Sequence, residues 1–333
     1  MQRRKPLPAD DERGGPGADA PPAPTGLPAG TPAFGEESLR NQTLSRCALL
    51  RDQFGRKSGG SDILSFLEIL SEDRDAVIRQ PPAAAIEAMR LAQDPAMDVP
   101  QVVRLFERDP KLAQALLQMA NSAFFRRGAA VSVSLLDAVN RVGMGGVYNV
   151  ILMSVLHGSL MRPGAPHDVT AGKVWSHMTR TGYLGRWISP AFGVPPDLAF
   201  SLALLHDVGK LVVFYRLSEP RRRMSRDPRL PESFVLGSLV FLHEPLGGLA
   251  VLRWKLGEAA ARSVATHHRR PVPEEIDHGS ELLYVAERVD LASVRRQEID
   301  WDQLWADGQL SASREEAMNL VEVAVTLQRT ENE

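Results

Sequence analysis

His206 and Asp207 stand side by side in Ala203-Leu204-Leu205-His206-Asp207-Val208-Gly209-Lys210, an apolar helical pattern that runs into a glycine. An imidazole nitrogen and a carboxylate oxygen are donors that Zn, Mn or Fe accept, and a pair of such ions can activate water against phosphate esters. Adjacent side chains on a helix point apart, so one ion reaches both only at a bend or a helix end. His157, His177, His243, His267 and His268 lie on either side of this doublet, in mostly apolar sequence. Burying His206 and Asp207 without partners costs several kcal/mol, so an ion or a tight polar network is expected. Lys210 offers the second solution by pairing with Asp207. His157 falls outside the helices around the doublet and reads as a core histidine. For His267 and His268, at a predicted helix C-terminus, the helix dipole and solvent are an alternative to a ligand role.

The elements that must position these groups are all helical. Residues 36–80 carry Leu39, Leu44, Leu49 and Leu50, then Ile63, Leu64, Leu67 and Leu70, at helical spacing. Gly59-Gly60-Ser61 divides them into two leader helices, with Ser61 or Asp62 as a cap, that should dock on the main body. Ala84–Ala92 and a segment opened by Val99-Pro100 follow. Asp109-Pro110 starts another helix with Leu112, Leu116 and Met119 on one face. Ser134 and Asp137 have the spacing of reciprocal caps, and Gly143 closes the helix they open. Gly146–Leu160 is apolar almost all round and belongs at the centre of a bundle.

Beyond it, Ala171–Ile188 carries His177, and Pro196 to about Tyr215 carries the doublet. Residues 233 to about 256 carry His243, with His243-Glu244-Pro245 marking a helix start. Glu258–His268 ends in the histidine pair, and Ser280–Ser293 carries Glu287 and Asp290. Strand patterns are nearly absent, since the alternation Val131-Ser132-Val133-Ser134 is too short to count. The fold class expected is all-α.

The bulk properties narrow the function classes. A 44% hydrophobic content over 333 residues supports a real core, and a formal net charge of −2 gives nucleic acid no general attraction. Residues 1–35 hold almost no large apolar side chains and many prolines, the composition of a disordered tail. The single cysteine, Cys47, suits a reducing cytoplasm. The apolar stretch from Val142 to Leu160 is interrupted by Asn149, His157 and glycines, so no membrane span is expected. Arg221-Arg222-Arg223 with Arg226 and Arg229 is the one basic cluster, read first as a solvated loop and second as an anion site.

Two blocks of sequence carry a family resemblance. Phe106-Glu107-Arg108-Asp109-Pro110-Lys111-Leu112, Met119-Ala120-Asn121-Ser122-Ala123-Phe124-Phe125 and Leu135 to Gly143 resemble the N-terminal half of the HDOD domain, a bacterial relative of the HD phosphohydrolases. His177 with His206-Asp207 resembles the HD half. The resemblance, over roughly residues 76 to 275, implies an N-terminal helical half, placed at 81–165, and an HD-like half, placed at 166–292; a charged helical tail over 293–333 is expected after them. The resemblance also implies His177, His206, Asp207, His243, His267, His268 and Glu287 as ligands of one or two divalent ions of Fe, Mn or Zn. His243 and the His267-His268 pair resemble those of the HD-GYP branch, which hydrolyses a cyclic dinucleotide. That branch's DGxGYP loop is missing after His268, and Glu287 replaces the final aspartate, with Asp290 nearby.

The expectation is therefore a cytoplasmic bacterial signalling module with a metal-capable pocket, acting through protein partners. The alternative is a metal-dependent phosphohydrolase or phosphodiesterase of a nucleotide or cyclic dinucleotide, with Asp207 and His206 catalytic. A nucleotide ligand suits either reading. Nucleic-acid binding has only the arginine cluster behind it.

Overall fold

The computed structural model of the protein describes residues 34–56, 60–72, 83–94, 96–126, 129–165, 167–218, 230–268 and 277–331. The N-terminal tail to residue 33, the arginine cluster at 221–229 and Arg269-Arg270-Pro271 lie outside them. Among the described residues there is no strand, and the fold is all-α as expected.

The chain opens with α1 (Glu36–Phe54) and α2 (Gly60–Glu72). The N-terminal half follows as α3 (Ala83–Ala92), α4 (Val99–Glu107), α5 (Pro110–Asn121), the short α6 (Ala123–Arg126) and α7 (Leu135–Leu160). Two of the caps the sequence announces are built, while Ser61 and Asp62 fall inside α2 rather than capping it. Asp109 accepts from the N–H groups of Lys111 and Leu112, and Ser134 accepts from the N–H of Asp137. Asp137 does not return the bond; its carboxylate pairs with Arg141 instead. Gly143, at φ 70°, kinks α7 rather than ending it.

The second half comprises α8 (Asp168–Ile188), a 3-10 turn at Ser189–Phe192, α9 (Pro196–Leu205), α10 (Val208–Ser218), α11 (Glu232–Arg253), α12 (Glu258–Thr266) and α13 (His278–Arg295). The chain then adds α14 (Trp301–Gly308) and α15 (Arg314–Glu331). In the N-terminal half α3, α4 and α5 pack on α7, while in the second α8 lies along α9, α10 along α11 and α11 along α12. The charged C-terminal stretch joins this body: α15 packs on α8 and buries Ala317, Val321 and Ala324.

Two further sequence expectations change here. The predicted helix from Pro196 to Tyr215 is two helices, α9 and α10, broken at His206-Asp207. The predicted helix start at His243-Glu244-Pro245 is instead the interior of α11. Pro245 has no N–H to offer the carbonyl four residues back, which would leave Phe241 unsatisfied. Arg46 of α1 supplies the missing donor, 2.8 Å from that carbonyl, and also pairs with the Glu244 carboxylate at 3.2 Å. A leader helix thus repairs a turn of the helix that bears His243. Phe54 and Phe66 complete the docking, each edge-on to Phe234 at ring-centroid separations of 5.6 and 5.9 Å.

Three helical stretches, Leu135–Leu160, Pro196–Ser218 and Glu232–Arg253, reach the length and hydropathy of a membrane span. For the first this departs from the sequence expectation. The other two are 83% and 72% buried inside the helical body, so packing alone accounts for their apolar character.

Candidate metal centre

The break between α9 and α10 turns Asp207 and His206 toward the same interior space. Gly209 makes that approach feasible: a Cβ there would lie 1.9 Å from the carbonyl oxygen of His243 and 2.8 Å from the nitrogen of Gly247. Only a residue without a side chain lets the start of α10 rest on the backbone of α11 at His243. His177 enters from α8, His267 and His268 from the turn after α12, and Glu287 and Asp290 from α13.

Asp207 is the hub, fully buried along with His206 and His267. Its Oδ2 lies 3.7 Å from His177 Nε2, 3.5 Å from His206 Nε2 and 2.6 Å from Lys210 Nζ. Its Oδ1 lies 3.8 Å from His243 Nε2 and 3.9 Å from His267 Nε2. The ligand atoms fall into two groups that share this carboxylate: His177, His206 and Asp207, and Asp207, His243, His267 and His268. Within each group they lie within 4.8 Å of one another.

The outer nitrogens fix the tautomers. His206 Nδ1 donates to the carbonyl of Ala203 at 2.7 Å, His243 Nδ1 to Val240 at 3.0 Å, and His267 Nδ1 to Val264 at 2.6 Å. Each acceptor stands three residues earlier in its own chain segment. A carbonyl accepts only from N–H, so each neutral ring carries its lone pair on Nε2, facing inward. His177 Nδ1 donates to Asp290 Oδ2 at 2.6 Å, and Arg180 holds the same carboxylate from 2.8 and 3.0 Å. This is the carboxylate–histidine arrangement that orients a metal ligand from behind.

Those orientations create a deficit of positive charge. His177 Nε2 and His206 Nε2 sit 3.1 Å apart, where two lone pairs repel unless a proton or cation lies between them. Asp207 Oδ1, His243 Nε2, His267 Nε2 and Glu287 Oε2 are buried with no hydrogen-bond partner. Orphaned buried acceptors in such number are costly, and a divalent cation is what this donor set fits.

The titration behaviour agrees. Burial pushes the Asp207 carboxyl up, but the Lys210 ammonium and His206 outweigh it and hold the group well below its usual range. Burial also drives His243 and His267 well below the ordinary imidazole value, assisted by Lys210 for the first and His268 for the second. Both are thus neutral, ligand-ready bases. His206 moves the other way: burial pulls it down, but Asp207, Glu287 and the Ala203 carbonyl together outweigh that and raise it. For Glu287, burial is overcome by His268 and His267, and its pKa falls to about 2.

Every ligand candidate from the sequence therefore reaches this centre except in one respect. Glu287 sits 3.3 Å from His268 Nδ1, at the edge of the cluster, while its neighbour Asp290 braces His177. His268 is the most open member, its side chain 32% exposed. His157 stays outside, but it is exposed on α7 and edge-on to Trp175 rather than a core histidine. Lys210 does pair with Asp207, as the polar-network alternative in the sequence expected, on the same carboxylate that both ligand groups share. Arg180 escaped the sequence reading; its signal was the three-residue step from His177, matching the step from Glu287 to Asp290.

Phe124 of the N-terminal block is buried, stacked on Tyr183 of α8 at 5.2 Å and edge-on to Trp187. The same helix that bears His177 thus anchors the N-terminal half.

The comparisons agree with this architecture. An uncharacterized protein of Treponema pallidum (strain Nichols) is 28% identical over 215 residues, 61% of this chain and 40% of that protein, so the chain spans less than half of that relative's length. The crystal structure of a "Putative metal-dependent phosphohydrolase" from Shewanella amazonensis SB2B aligns with TM-score 0.59 at 14% identity, covering 81% of this chain and all of that one. An HDOD domain protein with unknown function from Geobacter sulfurreducens aligns with TM-score 0.54 at 18% identity, covering 76% and 90%. At such identities the likeness concerns the fold. The HDOD domain itself matches residues 78–270, more than half of the sequence, and this chain belongs to the HDOD domain family.

Proposed function

We propose that this protein is an HDOD-type regulatory module whose interior holds a divalent transition metal and whose helical surface passes that state to protein partners. One observation carries the metal: three buried acceptor atoms, Asp207 Oδ1, His243 Nε2 and His267 Nε2, face one another with no hydrogen-bond donor among them. His177, His206 and Asp207 would hold one ion and Asp207, His243, His267 and His268 a second. Regulation rather than turnover is favoured by the enclosure of the centre, with His206, Asp207 and His267 fully buried, and by the glutamate in place of the last aspartate. Helices that bear the site also meet the rest of the molecule: α8 receives Phe124 of the N-terminal half, α9, which leads into His206, packs on α7, and α11 packs on the leader helix α1.

A second reading has its own observation, the sharing of Asp207 between two ligand groups, which is the layout of a two-ion phosphoesterase. An ion there would polarise a phosphoryl oxygen. Lys210 and Arg180, the partly exposed cations beside it, would orient the phosphate of a nucleotide or cyclic dinucleotide.

Elemental analysis of the full chain, after reconstitution with Zn, Mn or Fe(II), separates these readings from none. One to two equivalents per chain are expected, lost in Asp207→Ala; a chain that stays metal-free defeats both. Metal-dependent hydrolysis of a cyclic dinucleotide that disappears in Asp207→Ala would move the assignment to the phosphoesterase.

A further inference from the structure

The two ligand groups that share Asp207 are similar in size and unlike in charge. In the first, His177 Nε2, His206 Nε2 and Asp207 Oδ2 form a triangle with sides of 3.1, 3.5 and 3.7 Å. Its centre lies about 2.0 Å from each corner, the length of a Zn–N or Zn–O bond, so distance alone would admit an ion. The second group offers Asp207 Oδ1, His243 Nε2 and His267 Nε2, with the more open His268 beside them. No donor reaches the first three of these atoms.

A donor does reach the first group. Lys210 Nζ lies 2.6 Å from Oδ2, and among the described residues the ammonium donates to no other atom. The backbone sets this placement. The N–H of Lys210 donates to the carbonyl of Asp207 at 2.9 Å at the start of α10, and residues three apart on a helical turn share a face. Gly209, pressed on the backbone of α11 at His243, holds that turn in place. The ammonium can therefore leave Oδ2 only by swinging its flexible stem, and the side chain is just 22% exposed. The remaining gap, between His177 Nε2 and His206 Nε2, has the length of a hydrogen bond, and one proton spans it.

We infer that Lys210 is the resident cation of the first group and shuts it to a second ion, so that the centre loads a single ion at Asp207 Oδ1, His243, His267 and His268. The inference rests on the metal reading proposed above and gives it a stoichiometry. An ion on Oδ2 would set its charge against an ammonium bonded to the same oxygen, in a buried pocket where repulsion is weakly screened. The second ion therefore binds about 100-fold or more weakly than the first for as long as Lys210 stays in place. One ion cannot clamp both the attacking and the leaving oxygen of a phosphoryl transfer, so the same lysine favours regulation over two-ion hydrolysis.

Mn(II) titrated into the full chain tests this, read by elemental analysis after desalting and by electron paramagnetic resonance. The wild-type chain should retain one equivalent, with the hyperfine-split spectrum of an isolated ion. Lys210→Met should retain two, with the broadened spectrum of two ions coupled through one carboxylate. Lys210→Arg, which keeps the charge, should stay at one. Adding His177→Ala to Lys210→Met should return the count to one, which places the extra ion in the first group. Two coupled ions in the wild-type chain overturn the inference and leave the metal reading standing; that measurement needs no variant, so a folding defect cannot blur it. A Lys210→Met chain that keeps its helical circular dichroism and still holds one ion overturns it as well. A chain that retains no metal defeats the metal reading itself, and this inference with it.

Discussion

The two oxygens of Asp207 belong to one carboxylate and live in opposite chemical situations. Oδ2 has an ammonium at 2.6 Å, and the histidines on its side are anchored outward, His177 through Asp290 and Arg180. Oδ1 faces His243 and His267, which burial keeps neutral, and has no donor at all. The first side has a protein cation to balance it when no ion is bound. The second side is all acceptor, and it stands in this arrangement at a free-energy cost that an ion would remove. The difference teaches that a ligand list is not yet a site: the same residue types at similar distances make one side that a protein cation already pairs and one that offers only acceptors.

The contrast breaks most visibly at the ligands. His267→Ala should lower metal affinity by about 100-fold or more, whereas His177→Ala, on the side with its own cation, should cost roughly 10-fold; titration calorimetry with Zn or Mn reads both. Equal losses would erase the distinction. Lys210→Gln should sharpen it in the other direction. Without an ion the protein should lose about 2 kcal/mol, because a buried carboxylate has lost its partner, and the stabilisation gained on adding metal should grow. Thermal unfolding with and without metal measures this.

A subtler loss is expected from Asp290→Asn, which removes the charge behind His177 while keeping the shape; a decrease of about 10-fold in affinity, confined to the His177 group, is expected. The remaining effect is on acid stability. His243 and His267 have folded-state pKa values below the ordinary 6.5, so the unfolded chain takes up more protons than the folded one once the pH falls below that value. Metal-free protein should therefore lose stability between pH 6.5 and 5, by at most about 1.4 kcal/mol per pH unit for each histidine. His206, whose pKa is raised, acts in the opposite sense and loses its contribution only as the pH rises through its own value. Denaturant unfolding at several pH values, with His267→Gln flattening the slope, checks the sign.

Much of this was legible in the chain because it is local. Helical periodicity, the Asp109-Pro110 start and the Ser134 cap are decided within a few residues, and the structure keeps them. The demand that His206 and Asp207 lie at a bend came from helix geometry alone, and α9 does stop there. What stayed hidden depends on distant partners. His243-Glu244-Pro245 reads as a helix start because proline favours that place, and nothing local reveals that Arg46, almost 200 residues earlier, rescues the open carbonyl. Glu287 and Asp290 share a helix face, and only the packing of α8 against α13 decides which carboxylate backs His177. The Val131–Ser134 alternation forms no strand, as its length implied; what stayed hidden is that the Asn121 side chain holds both backbone groups of Ser132.

The repair of α11 by Arg46 redraws the boundary of the working unit. The family match begins at residue 78 and ends at residue 270, which leaves out α1 on one side and α13 on the other. A fragment cut to those limits would strip the guanidinium from Glu244 and Phe241, one turn around His243, and would discard Glu287 and Asp290 altogether. Evolutionary module and folding unit do not coincide in this protein. Its leader and α13 are less like appendages than like the missing walls of the domain they flank, and a transplanted domain would need to bring both with it.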